Sequence, residues 1–439
     1  MKADSLHILA LEQIAGMAPD HATWRVADEL ARGEKWGATG WSRPASPNGR
    51  VLWAEFPENR RPDIHTTLAL PAMAATCNCA ATRFPCRHII ALLLKDRDQS
   101  VDYALPPDWV AMADGPRRAD GPAAEPAADS RHRAALAAGM ADLQLWLNDL
   151  AHQGLAGLPK RDRRFWAGAA DRLVDAYGFE AAREVRELAT IPGSAPDWPE
   201  RLLPRLGRLA LLCAAFQRLD ELSPGEEGDA LAAAGRPPRP GDDRVRDQWL
   251  VLGRRQIYEN KQRRERLWLR GVDSGRWALL VDSRPAARLE GLCLPTGATF
   301  DGELAYTPSA WPLQARPIGD LRLIPPTAVD PTAGGTAIDG ALAGYAAALA
   351  DNPWLRHVPL ILEAVFLEPP APGRPDWRLR DRSGRLMALP PRFAHGWRLL
   401  ALAADRPLTF FGEWDGELFT PLSVYQDGWL SMAGWRGLP

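Results

Sequence analysis

Three cysteines and one histidine fall within twelve residues: Cys77-Asn78-Cys79, six intervening residues, then Cys86-Arg87-His88. No other feature limits the fold so strongly. Three thiols and an imidazole at this spacing form a closed tetrahedral zinc set, Cys3His, with no coordination position left for water or substrate. In an extended strand, residues i and i+2 share a face, so Cys77 and Cys79 can both turn inward while Asn78 faces out. Pro85 disfavours helix at Phe84 and suits a turn. The run Ile89-Ile90-Ala91-Leu92-Leu93-Leu94 then reads as a buried helix, whose first turn returns Cys86 and His88 to the metal.

Two blander readings compete. Free cysteine is a good small core residue, but Thr76, Asn78, Thr82 and Arg83 make a poor core around these thiols. A disulfide is disfavoured because half-cystines at i and i+2 rarely join, and the N-terminus Met1 to His7 lacks an apolar export signal. Cys213 and Cys293, each flanked by apolar residues, read as packing. Trp53 reads as a core aromatic and His65 as an ordinary strand residue.

The four ligands fit the C-x-C-x(n)-C-x-H pattern of the SWIM zinc finger. With the context Thr82 to His88 and the leucines after it, the chain resembles the bacterial SWIM zinc finger family protein. The likeness extends to Trp36, Gly40, the Leu52-Trp53 pair and the stretch Leu143 to Leu155. It departs at Phe56 to Arg61, where relatives are glycine-rich and aromatic. The resemblance implies one structural zinc. It also implies association with AAA+ ATPases and von Willebrand-type proteins, and kinship with modules of Mutator-type transposases and chromatin-remodelling ATPases proposed to bind DNA or proteins.

Length and patterning predict an α+β multidomain chain of 439 residues. Residues 1–112 form a zinc-stapled α/β module, helical over 1–35, with strands at Val51 to Phe56 and Ile64 to Leu70. A Pro-, Gly- and charge-rich linker is expected over 113–133, a helical domain over 134–222 and a second linker over 223–243. Within the helical domain, Leu136, Met140, Leu143, Leu147 and Leu150 keep one face, and Pro204 should bend or restart the helix of Leu202 to Phe216. Residues 244–439 read as mostly β, one or two small barrels or open sheets. Strands are expected at Trp249 to Leu252, Arg266 to Arg270, Trp277 to Val281, Leu360 to Leu367 and Trp397 to Ala401, with a helix at Ala341 to Ala350. Trp277 to Leu280 and Trp397 to Leu400 hint at two related β units.

No phosphate loop, H-E-x-x-H, G-x-S-x-G or dinucleotide fingerprint is present, so the expectation is a protein that is not an enzyme. Net charge is −2, and residues 1–105 carry twelve basic against twelve acidic side chains. That opposes phosphate-driven nucleic-acid binding. The favoured function is a zinc-bearing interaction scaffold in a multi-protein assembly, with 18 tryptophans available as contact anchors. The alternative is DNA binding by Arg83, Arg87 and Lys95 beside the finger, helped by Arg60 and Arg61, or by Arg254, Arg255 and Lys261 to Arg266. No run reaches the ~20 apolar residues of a membrane span. A cytoplasmic protein is expected, which would also keep the three thiols reduced.

Overall fold

The computed structural model describes residues 9–33, 36–42, 50–57, 63–81, 83–99, 101–111, 126–236, 241–259, 262–282, 293–325 and 332–432. The N-terminal module begins with α1 (Leu11–Met17) and α2 (His21–Arg32). The Asp20 carboxylate caps α2 by accepting from the Thr23 amide at 2.7 Å. Then come β1 (Thr39–Trp41), β2 (Arg50–Phe56), β3 (Ile64–Leu70) and β4 (Ala74–Cys77), an antiparallel sheet in sequence order. α3 (Arg87–Gln99) crosses it, with every residue from Ile89 to Leu94 at most 1% exposed, and α4 (Asp108–Ala111) follows.

The central helices are α5 (Pro126–Gln153), α6 (Arg163–Asp175), α7 (Phe179–Leu188), α8 (Trp198–Gln217) and α9 (Pro224–Ala234). Leu136, Met140, Leu143, Leu147 and Leu150 form the buried stripe of α5, as their spacing predicts. The linker expectations need correction where the residues are described; residues 113–125 of the first lie outside them. α5 starts at residue 126, and residues 224–234 form a helix with a Ser223–Glu226 capping box whose Ala230 and Ala234 sit in the bundle core. Composition suggested a linker because α9 is short and rich in Gly and Glu; tertiary burial and the cap decide otherwise. α8 also runs unbroken through Pro204. Pro204 and Glu200 are both exposed, so water can satisfy the carbonyl that proline leaves without a donor.

In the C-terminal region β5 (Arg244–Glu259), β6 (Gln262–Gly271), β7 (Trp277–Asp282), β8 (Thr299–Tyr306) and β9 (Ala315–Ile324) form a sheet ordered β7-β6-β5-β8-β9. Its outer edges approach each other. The Leu279 amide donates to Leu313 O at 2.7 Å, rolling the sheet towards a barrel. After α10 (Ile338–Asp351) come β10 (Val358–Glu368), β11 (Arg378–Arg380), β12 (Leu386–Ala388), α11 (Gly396–Ala403), β13 (Leu408–Trp414), β14 (Phe419–Tyr425) and β15 (Trp429–Ser431). Their sheet is ordered β12-β11-β10-β13-β14-β15. The expected strand Trp397 to Ala401 is therefore helix α11. Leu399 and Ala403 are buried while Trp397 is 66% exposed, a helical rather than alternating period. The hint of a repeat with Trp277 fails with it.

The two C-terminal sheets pack on each other where Phe411 and Leu422 close over Gly253. A Cβ at Gly253 would lie 2.7 Å from Leu422 Cβ and 2.8 Å from the Phe411 ring. The N-terminal module is not a separate bead. Its core, from Leu9 to Val101, is continuous with Trp249, Leu269, Phe300 and Leu323 of the barrel-like sheet. Among the described residues, no helix is long and apolar enough to cross a membrane.

Candidate metal centre

β4 ends on Cys77, and the chain continues for one more rung of the ladder. Asn78 N donates to His65 O at 3.2 Å, its side-chain oxygen accepts from His65 N at 2.8 Å, and its amide nitrogen donates to Asp63 O at 3.2 Å. Asn78 thus faces out, as strand geometry requires, and also clamps the sheet end that presents Cys77 and Cys79. Phe84–Pro85, a cis peptide, leads into Cys86. Cys86 caps α3, its carbonyl accepting from Ile90 N at 3.2 Å. A thiolate there lies at the positive end of the helix dipole. One turn inside, His88 is 3% exposed, its ring packed 4.8 Å from that of Phe56.

The four donor atoms of Cys77, Cys79, Cys86 and His88 all lie within 4.8 Å of one another. His88 Nδ1 is 3.7 Å from Cys77 Sγ and 3.9 Å from Cys86 Sγ. Tetrahedral zinc, with Zn–S about 2.3 Å and Zn–N about 2.0 Å, sets donors roughly 3.5–3.8 Å apart. The residues fit the ion. They also fit its charge. Without a cation the thiols share protons unequally: the hydrogen bond from Cys77 holds Cys86 below the ordinary thiol range, and the same bond pushes Cys77 up. Burial raises Cys79. A dication lets all three ionise together. The protein binds a single structural zinc ion through these four residues.

The predicted contact residues that are described each have a separate partner. Arg83 is ion-paired with Asp20, the cap of α2. Lys95 lies over the Trp36 ring at 4.8 Å, and burial lowers its pKa. Arg87 is exposed, with its Nε 3.4 Å from His88 Nε2. Arg60 and Arg61 lie outside the described residues. In the second basic stretch the three arginines with described side chains are tied into the fold. Arg254 pairs with Glu265 at 2.9 Å, and Arg255 and Arg266 both reach Glu413, at 2.6 and 3.1 Å. Lys261 and the side chains of residues 262–264 are not among those described.

His65 is no ligand; it stacks on Trp109 at 4.2 Å. Trp53, Cys213 and Cys293 are buried, as expected. The tryptophans fill or line cores: among those described, only Trp397 is largely exposed. Sequence reasoning missed Asn78 as a clamp, Phe56 as the wall behind His88, and Asp20 as the partner of Arg83. The Asp20-x-x-Thr23 pattern at a helix start was a legible sign of the cap, though not of the ion pair.

Comparison with known families locates two matches. A model of the SWIM zinc finger matches residues 65–96, and a model of the SWIM-associated four-helix bundle domain matches residues 131–233. The second range includes most of α9, consistent with its burial in the bundle. Searches of curated proteins and of solved structures return no match.

Proposed function

We propose that this chain, which carries a SWIM zinc finger and the SWIM-associated four-helix bundle, is a non-catalytic interaction protein of a multi-protein assembly. The observation that carries this reading is the closed donor set. Four protein ligands leave zinc no position for water, and three thiolates give the centre a net charge of −1 that suppresses Lewis acidity. The ion then acts as a staple. The protein works in the cytoplasm, where its five cysteines, none of them in a disulfide, stay reduced. Its partners, by resemblance, are an AAA+ ATPase and a von Willebrand-type protein.

DNA binding is the second reading, favoured by the exposure of Arg83 and Arg87 beside the finger. It ranks lower because Arg83 is engaged by Asp20 and Lys95 by Trp36. A gel-shift series on duplex and single-stranded DNA across salt concentrations separates the two. The interaction reading expects no shift at low salt. A shift that weakens steeply with salt and is lost in Arg83→Ala/Arg87→Ala would reverse the ranking. In parallel, an AAA+ ATPase or a von Willebrand-type protein should co-purify with the intact chain at native levels.

A further inference from the structure

The outward face of α8 repeats at helical spacing: Glu200, Leu203, Gly207, Leu211, Ala214, Arg218. All six are exposed. Leu203 is 61% and Leu211 46% exposed, two of the exposed large apolar side chains among the described residues. A Cβ built at Gly207 meets nothing within 4 Å. Glycine in the interior of an exposed helix weakens it, and here the open Gly207 lies between two exposed leucines on one face, leaving room for a partner helix.

Order along this face supplies one. Read forwards it runs acid, large, small; read backwards from Arg218 it runs base, small, large. Set against itself in antiparallel, α8 places Glu200 opposite Arg218, Leu203 opposite Ala214, and Gly207 opposite Leu211. Each large residue meets a small one and each charge its opposite, on both sides of a two-fold axis that crosses the exposed face between Gly207 and Leu211. This is what an isologous interface requires. Glycine and alanine at the crossing permit a close approach of helix axes, about 8 Å.

We infer that the chain forms a symmetric homodimer through the antiparallel pairing of its two α8 faces. The contact is independent of the zinc site. It also leaves the buried stripe of α8, including Leu202, Leu206, Leu209 and Phe216, in the bundle core.

Sedimentation equilibrium of the full chain over a range of micromolar concentrations tests this. The wild type should show a monomer–dimer equilibrium with a limiting mass twice that of the chain. Leu211→Arg should raise the dimer dissociation constant at least about tenfold, with an unchanged circular dichroism spectrum. Gly207→Ala should separate folding from association, since it raises the melting temperature of the dilute monomer but weakens the dimer. Glu200→Arg and Arg218→Glu should each weaken it, and the double reversal should restore it. A wild type that stays monomeric at the highest concentration overturns the proposal. So does a folded Leu211→Arg chain that dimerises as before. Failure of the double reversal to restore association overturns the antiparallel register.

Discussion

The backbone amide of Cys293 donates to the carbonyl of Met73 at 2.8 Å, tying the barrel-like sheet to the turn from which β4 carries Cys77 into the metal centre. The Leu323 amide does the same to Pro71, also at 2.8 Å. The zinc staple and the C-terminal region are thus joined through one short turn and one continuous core.

Loss of the metal should therefore spread. His88→Ala or Cys79→Ala should release the ion and destabilise the β5–β9 sheet as well as residues around the finger. Zinc-coupled folding energies in small modules are of order ~10 kcal/mol. Hydrogen exchange should show lost protection at both Ile89–Leu94 and Trp249–Leu252. Loss confined to the finger would mean that the shared core carries no coupling.

Glu413 is fully buried, accepting from Trp268 Nε1 at 2.8 Å and paired with Arg255 and Arg266. Burial alone would raise its pKa, yet Arg266 and the neighbouring cations hold it below the usual range. Glu413→Gln keeps the shape and leaves two guanidinium groups without their anion, at a cost of about 3–5 kcal/mol. A denaturant melt giving less than 1 kcal/mol, in the range of exposed pairs, would contradict the assignment.

His357 beside this cluster is pushed down to about 4, by burial first and then by Arg266, with Glu413 opposing. Folded protein keeps it neutral, while the unfolded chain takes up its proton near the ordinary 6.5. Its contribution is thus intact above 6.5 and is lost as pH falls towards 4, by up to about 3 kcal/mol. Asp229, raised by burial to about 6, tilts stability the other way as pH falls from 6 to 3.8. Because the wild type and His357→Gln share Asp229, the difference between their stability–pH curves isolates His357. The variant should lose stability less steeply between pH 6.5 and 4.

Two helical glycines should respond to alanine with opposite sign. At Gly168 in α6 a Cβ meets nothing within 4 Å, so Gly168→Ala should stabilise by up to about 1 kcal/mol. At Gly228 in α9 the Cβ would lie 2.2 Å from the Pro308 carbonyl oxygen. Gly228→Ala should therefore destabilise, by pushing α9 off the C-terminal region. Equal thermal shifts for the two would show that α9 is not docked there.

Local patterns made much of this legible. The ligand spacing identified the finger, period-two and period-3.6 runs found β2, β3 and the stripe of α5, and the resemblance named the module. Long-range packing was not legible. Arg255 and Arg266 look like a basic surface until Glu413 approaches from elsewhere in the fold. Residues 224–234 look like linker until the bundle buries Ala230 and Ala234. Leu399 and Leu400 fit a strand until Trp377 claims the space over Gly396, where a Cβ would lie 2.1 Å from its ring. In each case the deciding contact comes from another element of the fold, where neither composition nor periodicity can reach.

The central claim is a structural zinc ion held by Cys77, Cys79, Cys86 and His88. Elemental analysis of the purified, fully reduced chain tests it most directly. The account predicts one equivalent of zinc per chain, absent from Cys79→Ala and His88→Ala. A clean preparation without zinc, or either variant retaining the full equivalent, would contradict it.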